Sequence, residues 1–199
     1  MKKWICLSLA LVCLLAVFAV LPIHGEAGVY DNVIRLHVLA NSDGEKDQAL
    51  KLLVRDAVLA ESRVLLDGVS TRSEAEEVLR GALPQIKEVA ENALSGAGVS
   101  APVEVVLGQE DYPRREYEAL AFPAGEYLSL QVRIGAATGQ NWWCVLFPPL
   151  CLSAATAENK TVCLSAGLTE GQYRMIAGAD NTGYKLKFKL LEVAENWLK

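Results

Sequence analysis

Near residue 100 the apolar residues of this chain change their spacing, and that change does most to decide its fold class. Before it they recur at helical intervals. Leu50, Leu53, Val54, Ala57 and Val58 share one helix face, which predicts an amphipathic helix over about 46–66, stopped by Asp67-Gly68. A second helix is expected over about 71–94, with Ser73 and Glu76 at capping-box spacing and Gly96 and Gly98 past its end. Pro84 lies inside that stretch and predicts a kink or a break. After residue 100 the period becomes two. Val103, Val105 and Leu107 alternate, as do Leu128, Leu130 and Val132 and, more weakly, Tyr117, Ala119 and Ala121. Pro123-Ala124-Gly125 reads as a hairpin turn between the last two runs.

The rest of the chain fits around these blocks. Residues 33–39 alternate as a strand, and Asn41-Ser42-Asp43-Gly44 is turn chemistry leading to the first helix. Trp142–Phe147 is a continuous apolar run, expected as a buried strand. Residues 152–183 are small and polar, which predicts a loop. The tail 184–199 carries two signals. Leu186, Phe188 and Leu190 alternate, but Leu190, Val193, Ala194 and Trp197 are helically spaced, and a final helix is favoured. The whole predicts one compact α+β domain over residues 28–199, with helices packed on a mainly antiparallel sheet.

Residues 4–23 stand apart. All but Ser8 and Pro22 are apolar, and Lys2 and Lys3 precede them. Positive charge stays on the cytoplasmic side, so the chain beyond is expected to be exported. Gly25 and Ala27 supply the small residues a signal peptidase requires, which makes Ala27 the expected cleavage site. A retained anchor is the alternative, since 20 apolar residues also span a bilayer. Either reading makes 1–27 a signal peptide or membrane anchor and places the domain outside the cytoplasm. Without this segment, which carries Lys2, Lys3 and Glu26, the net charge moves from −5 to −6. An acidic domain is a poor match for nucleic acid or anionic lipid, which select basic surfaces.

Little in the exported part resembles catalytic or metal chemistry. His37 is its one histidine, on the first strand, with Ser42 and Asp43 close in sequence. No G-x-S-x-G elbow is present, so a strand histidine bonded to the following turn, or touching a partner, is the plainer reading. Cys144, Cys151 and Cys163 with His37 lack the C-x2-C pairs of structural zinc sites. Asp43, Glu45 and Asp47 lose calcium-loop spacing after the third acid and suit the positive end of a helix. No phosphate or dinucleotide loop appears, and no cofactor is expected.

In an exported domain disulfides persist. Three cysteines allow three pairings and a reduced, buried alternative. Cys144 and Cys151 are seven apart, about 23 Å if extended, so a bond between them requires the chain to turn back at Pro148-Pro149. Trp142 and Trp143 point to opposite faces of their strand. One reading exposes one of them to a partner. The other covers both, one under the first helix and one under the 152–183 loop.

The segments IRLHVLANSDGEKDQALKLLVRDAVL at 34–59 and GQNWWCVLFPPLC at 139–151 resemble the stage II sporulation protein R family of endospore-forming Firmicutes. The leading apolar segment fits that family too. The resemblance implies a protein made in the forespore and exported to the space between two membranes. There it would trigger a membrane-bound aspartic protease of the mother cell, which removes the pro-sequence of the mother-cell sigma factor. It implies a signal rather than an enzyme. Such a ligand works only by binding the receptor's active state more tightly, for example by favouring a dimer in which two carboxylates share a proton. Candidate contacts are Arg35, His37, Asn41, Ser42, Asp43, Asp47, Gln48, Lys51, Arg55, Asn141, Trp142 and Trp143. The alternative for the charged ones is a solvated or internally paired surface, with Asp43 or Asp47 capping the helix. The rival function is an exported hydrolase of cell wall or peptide built on His37 with Ser42 or Asp43.

Overall fold

The computed structural model describes residues 27–117, 120–151 and 157–177. The apolar run at 4–23 and the helix expected at 184–199 lie outside the described residues. A short helix α1 (Ala27–Tyr30) leads into strand β1 (Ile34–Leu39), followed by the long helices α2 (Glu45–Leu65) and α3 (Arg72–Gly96). Then come β2 (Val103–Tyr112), β3 (Arg115–Tyr117), β4 (Leu120–Phe122), β5 (Gly125–Ile134) and β6 (Asn141–Phe147). Helices α4 (Ala157–Ser165) and α5 (Glu170–Ile176) complete the described chain.

The expected α+β class and mainly antiparallel sheet are present. Four strands lie in the order β2-β5-β1-β6. β5 runs antiparallel to β2, and β6 antiparallel to β1, while the central pair β1 and β5 is parallel. One face of the sheet presents Leu36, Val38, Leu130 and Val132 to Val54, Val58, Leu79 and Ile86 of α2 and α3. All eight are fully buried, and each such aliphatic contributes about 1.5–3 kcal/mol relative to exposure. The opposite face is covered in part by a second cluster that includes Val29, Tyr112, Phe122, Tyr127, Val145, Cys163 and Ile176. This is why β1 is buried along both faces.

Several local expectations are corrected. The strands after residue 100 do not all pair with their neighbours in sequence. β3 and β4 form their own two-stranded ribbon, so Pro123-Ala124 makes a corner between sheets and not a hairpin. Tyr30 packs into that corner and donates to the Ala124 carbonyl at 3.0 Å. Gly125 is required there, because a Cβ would come within 2.7 Å of Tyr30 Cε1. Residues 157–165 and 170–176, expected as loop, are helical. Thr169 and Gln172 form a capping box that starts α5, and Gly167 at φ +96° ends the preceding turn. The capping box of α3 is Thr71 with Glu74, two residues before the expected pair. Glu76 pairs instead with Arg72 and Arg80. α3 continues through Pro84 without a break in the helix.

Candidate functional site

The first family-like segment folds into a knot of hydrogen bonds that ties the start of α2 to the β5–β6 loop. Asp47, in the first turn of α2, accepts from Asn41 Nδ2 at 2.8 Å and Ser42 Oγ at 2.6 Å. Asn41 reaches across with its other groups. Its side-chain oxygen accepts from Ala136 N, and its carbonyl from Thr138 Oγ1. Asp43 accepts from Gln140 N at 2.7 Å. Gln48 donates to the Ser42 carbonyl, and Lys51 Nζ donates to Gln48 Oε1 and to the Gln140 carbonyl. Gly139 closes against the Ser42 carbonyl, where any Cβ would collide.

These partners change the expected roles. Asp43 and Asp47 do not cap α2. Its N-cap is Gly44, with no side-chain cap bond, although acids in the first turn still suit the helix dipole. Hydrogen bonds from Ser42, then Asn41, hold the Asp47 carboxyl below the usual aspartate value. Burial, then Arg55, lowers the Lys51 ammonium.

On the sheet face away from α2 and α3, register assembles a second group. Arg35 lies opposite Ser129 of β5 and Val145 of β6; His37 lies opposite Gln131 and Trp143. His37 Nδ1–H donates to Glu110 Oε1 at 2.7 Å. Burial raises the Glu110 carboxyl, but hydrogen bonds from His37 and Ser129 outweigh it and hold the group below its usual value. Tyr112 and Ser129 share a hydrogen bond at 2.7 Å. Burial pushes the Tyr112 phenol far up, so it stays protonated.

Arg35 is fully buried. Its guanidinium sits among Tyr112, Phe122, Tyr127 and Tyr117 at 4.5–5.6 Å from their ring centres, and Nη2 donates to the Tyr117 hydroxyl at 2.7 Å. Aromatic faces stabilise a cation by about 2 kcal/mol or more once water is excluded.

The tryptophans of β6 separate as the pleat requires, and each meets an arginine. Trp142 lies under Arg55 of α2 at 5.0 Å, while Trp143 carries Arg115 at 3.7 Å and touches the His37 ring. Both are half-buried. Trp142 is thus covered by the helix over 45–65; Trp143 lies under Arg115 of β3 and also packs against the cluster that holds Cys163, Leu168 and Ile176 of the 152–183 region. Asn141 is exposed at the start of β6. Cys144 and Cys151 form a disulfide with Cα atoms 5.5 Å apart, and Cys163 is a buried free thiol.

Eleven of the twelve candidate contacts therefore fall into three neighbourhoods, the knot, the Arg35–His37 face with Trp143, and the Arg55–Trp142 stack, while Asn141 stands apart at the exposed start of β6. Glu110, Tyr112, Arg115, Tyr117 and Ser129 complete the second of these and are absent from the candidate contacts read in the sequence. The alternation of Glu110 and Tyr112 on β2 is the one local signal for them. Ser42 and Asp43 serve the knot, and His37 serves Glu110. His37 Nε2 is buried without a hydrogen-bond partner among the described residues, so no nucleophile stands where a triad requires one. Among the described residues no group of His, Cys, Asp and Glu has the geometry of a metal site.

These features define an α+β domain whose polar motif residues hold its own turns and sheet faces together. The family profile described as "Stage II sporulation protein R" matches residues 30–157. Stage II sporulation protein R of Bacillus subtilis (strain 168) is 40% identical over 121 residues, covering 61% of this chain and 54% of that protein. The chain belongs to the stage II sporulation protein R family. The matched part spans about half the length of the Bacillus subtilis protein. No solved structure matches.

Proposed function

We propose that this protein is an exported sporulation signal that acts by contact and is not itself an enzyme. It is made in the forespore and crosses into the intermembrane space. There it activates a membrane-bound aspartic protease of the mother cell, which removes the pro-sequence of the mother-cell sigma factor. Family membership over residues 30–157 is the observation that carries this reading. Two others support it. Lys2 and Lys3 ahead of the apolar run fit export of all that follows. His37, Ser42 and Asp43 each bond elsewhere than in a catalytic set.

Activation by contact requires a firm surface, because a ligand shifts its receptor only through differential affinity for two states. The side chains of the knot pair with one another and with the β5–β6 loop, which holds that loop against the start of α2. Deletion of residues 2–27 tests the export step. Sporulating cells carrying that variant should accumulate the unprocessed sigma factor despite normal levels of the protein. Normal processing from the non-exported form would refute the proposal.

A further inference from the structure

β2 stands at one edge of the four-stranded sheet, and one bond sets the phase of its ladder. Gly135 N donates to the Pro102 carbonyl at 2.9 Å, which makes these two a hydrogen-bonded pair. Such pairs alternate with non-hydrogen-bonded ones along an antiparallel ladder. The register runs unbroken from Val103 opposite Ile134 to Tyr112 opposite Gly125. The even-numbered residues of β2 therefore bond to β5, and the N–H and C=O groups of Val103, Val105, Leu107, Gln109 and Asp111 point away from the sheet. No described residue bonds to those outward groups.

A free edge is a template for another strand, and proteins blunt it with lysine, proline, a bulge or short length. β2 has ten residues, VEVVLGQEDY, against a usual length of about five or six. It contains no Lys or Pro, and its register does not shift. Its charge has one sign, from Glu104, Glu110 and Asp111. Glu104 pairs with Arg133 and Glu110 with His37, but Asp111 lies directly opposite Glu126 of β5. Both acids are exposed, and neither has a cation beside it among the described residues. Like charges in facing positions destabilise a sheet, so a cation arriving beside Asp111 is favoured. The middle of the strand also leaves room. A Cβ on Gly108 would meet nothing within 4 Å, and glycine inside a strand often marks where another backbone comes close.

We propose that the free edge of β2 binds an extended segment of a partner protein, with apolar residues opposite Val105 and Leu107 and Lys or Arg opposite Glu104 and Asp111. Main-chain bonds to the outward groups supply affinity, and the alternate side chains supply selectivity. A second copy of this chain is the poorer occupant, because pairing two β2 edges antiparallel about Leu107 sets Glu104 against Glu110 twice. The inference rests on the contact reading above only in taking the segment to come from a protein partner.

The test is amide hydrogen exchange, followed by NMR on the full chain in phosphatidylcholine nanodiscs. In the free chain the amides of Val105, Leu107 and Gln109 should exchange freely, while those of Val106 and Gly108 are protected. The peptide acetyl-KTTTVTVK-amide should slow the first three. Acetyl-ETTTVTVE-amide should bind about five- to tenfold more weakly, and the basic peptide N-methylated at both valines should give no protection. Gln109→Pro removes one outward donor, which an edge strand tolerates, and should abolish the effect. Should that variant fail to fold, the exposed Asp111→Asn should weaken binding about two- to fivefold. Protection of the three amides before any peptide is added would mean that the chain itself or a second copy fills the edge, and would overturn the proposal. So would no protection by the basic peptide, equal binding of the acidic one, protection by the N-methylated one, or unchanged binding in the folded variants. A wild-type protein that fails to trigger sigma-factor processing defeats the signalling reading instead, whatever the exchange shows.

Discussion

The guanidinium of Arg35 lies 4.5 Å from the ring centre of Tyr112, entirely out of water. Two of its donors, Nε and Nη1, have no hydrogen-bond partner among the described residues, so the rings and Tyr117 are what hold it. Arg35→Ala should leave a void under four aromatic rings and cost about 3–5 kcal/mol, in line with other large-to-small core changes. Arg35→Met keeps most of the volume without a charge to desolvate and should recover most of that loss. Urea unfolding of both variants checks this. A cost under about 1 kcal/mol for alanine would show that the box is not a structural element.

Asp47 ties acid sensitivity to the knot. Its folded pKa is depressed, so its stabilising contribution is fully present above the unfolded aspartate value of about 4. It is lost as pH falls through the lower folded value. Asp47→Asn should therefore lower Tm at pH 6, with the gap to wild type narrowing at pH 3. Parallel melting curves at the two pH values would show it. An unchanged gap would mean that Asp47 does not bear on acid stability.

The Cys144–Cys151 bond closes a short loop, which places its contribution at about 2–3 kcal/mol. Mild reduction, or the Cys144→Ser/Cys151→Ser double variant, should lower stability by that amount. Cys163 should resist alkylation in the native protein. Burial pushes its thiol up to about 11, and only the thiolate reacts appreciably. Peptide mapping after alkylation, with and without denaturant, distinguishes the three cysteines. Labelling of Cys144 or Cys151 in unreduced protein would rule out the bond.

Arg55 lies over Trp142 while also pairing with Asp56. Exposed contacts of this kind contribute about 0.5–1 kcal/mol. A double-mutant cycle with Arg55→Ala and Trp142→Leu should return a coupling of that size, and Arg55→Ala should shift the tryptophan emission. Additive effects would show no interaction.

Parts of this architecture are legible in the sequence because they are local. Ile34, Leu36 and Val38 alternate, and Leu50, Val54 and Val58 share a helix face, so β1 and α2 follow from spacing. The ribbon of β3 and β4 does not, because three residues are too few to show a period. Arg35 and His37 are recognisable as polar residues on a strand. Their partners are not, because Ser129 meets Arg35 only through the parallel register of β1 with β5. The same holds for the knot. Asn41 and Asp43 read as parts of a turn, yet Ala136 and Thr138 reach Asn41, and Gln140 reaches Asp43, across more than 90 residues of chain. α4 and α5 escaped notice because their stretch is rich in small and polar residues, and Thr169 caps a helix of only seven.

The proposed function is that this protein switches on a protease by contact. It is tested most directly by expressing the full chain with the membrane-bound aspartic protease and the pro-form of the sigma factor in a host that does not sporulate. Immunoblotting then follows removal of the pro-sequence. The account predicts processing only when all three are present, and its loss in Asp47→Ala, where the knot is opened. Unprocessed sigma factor with all three proteins folded and correctly located would contradict it.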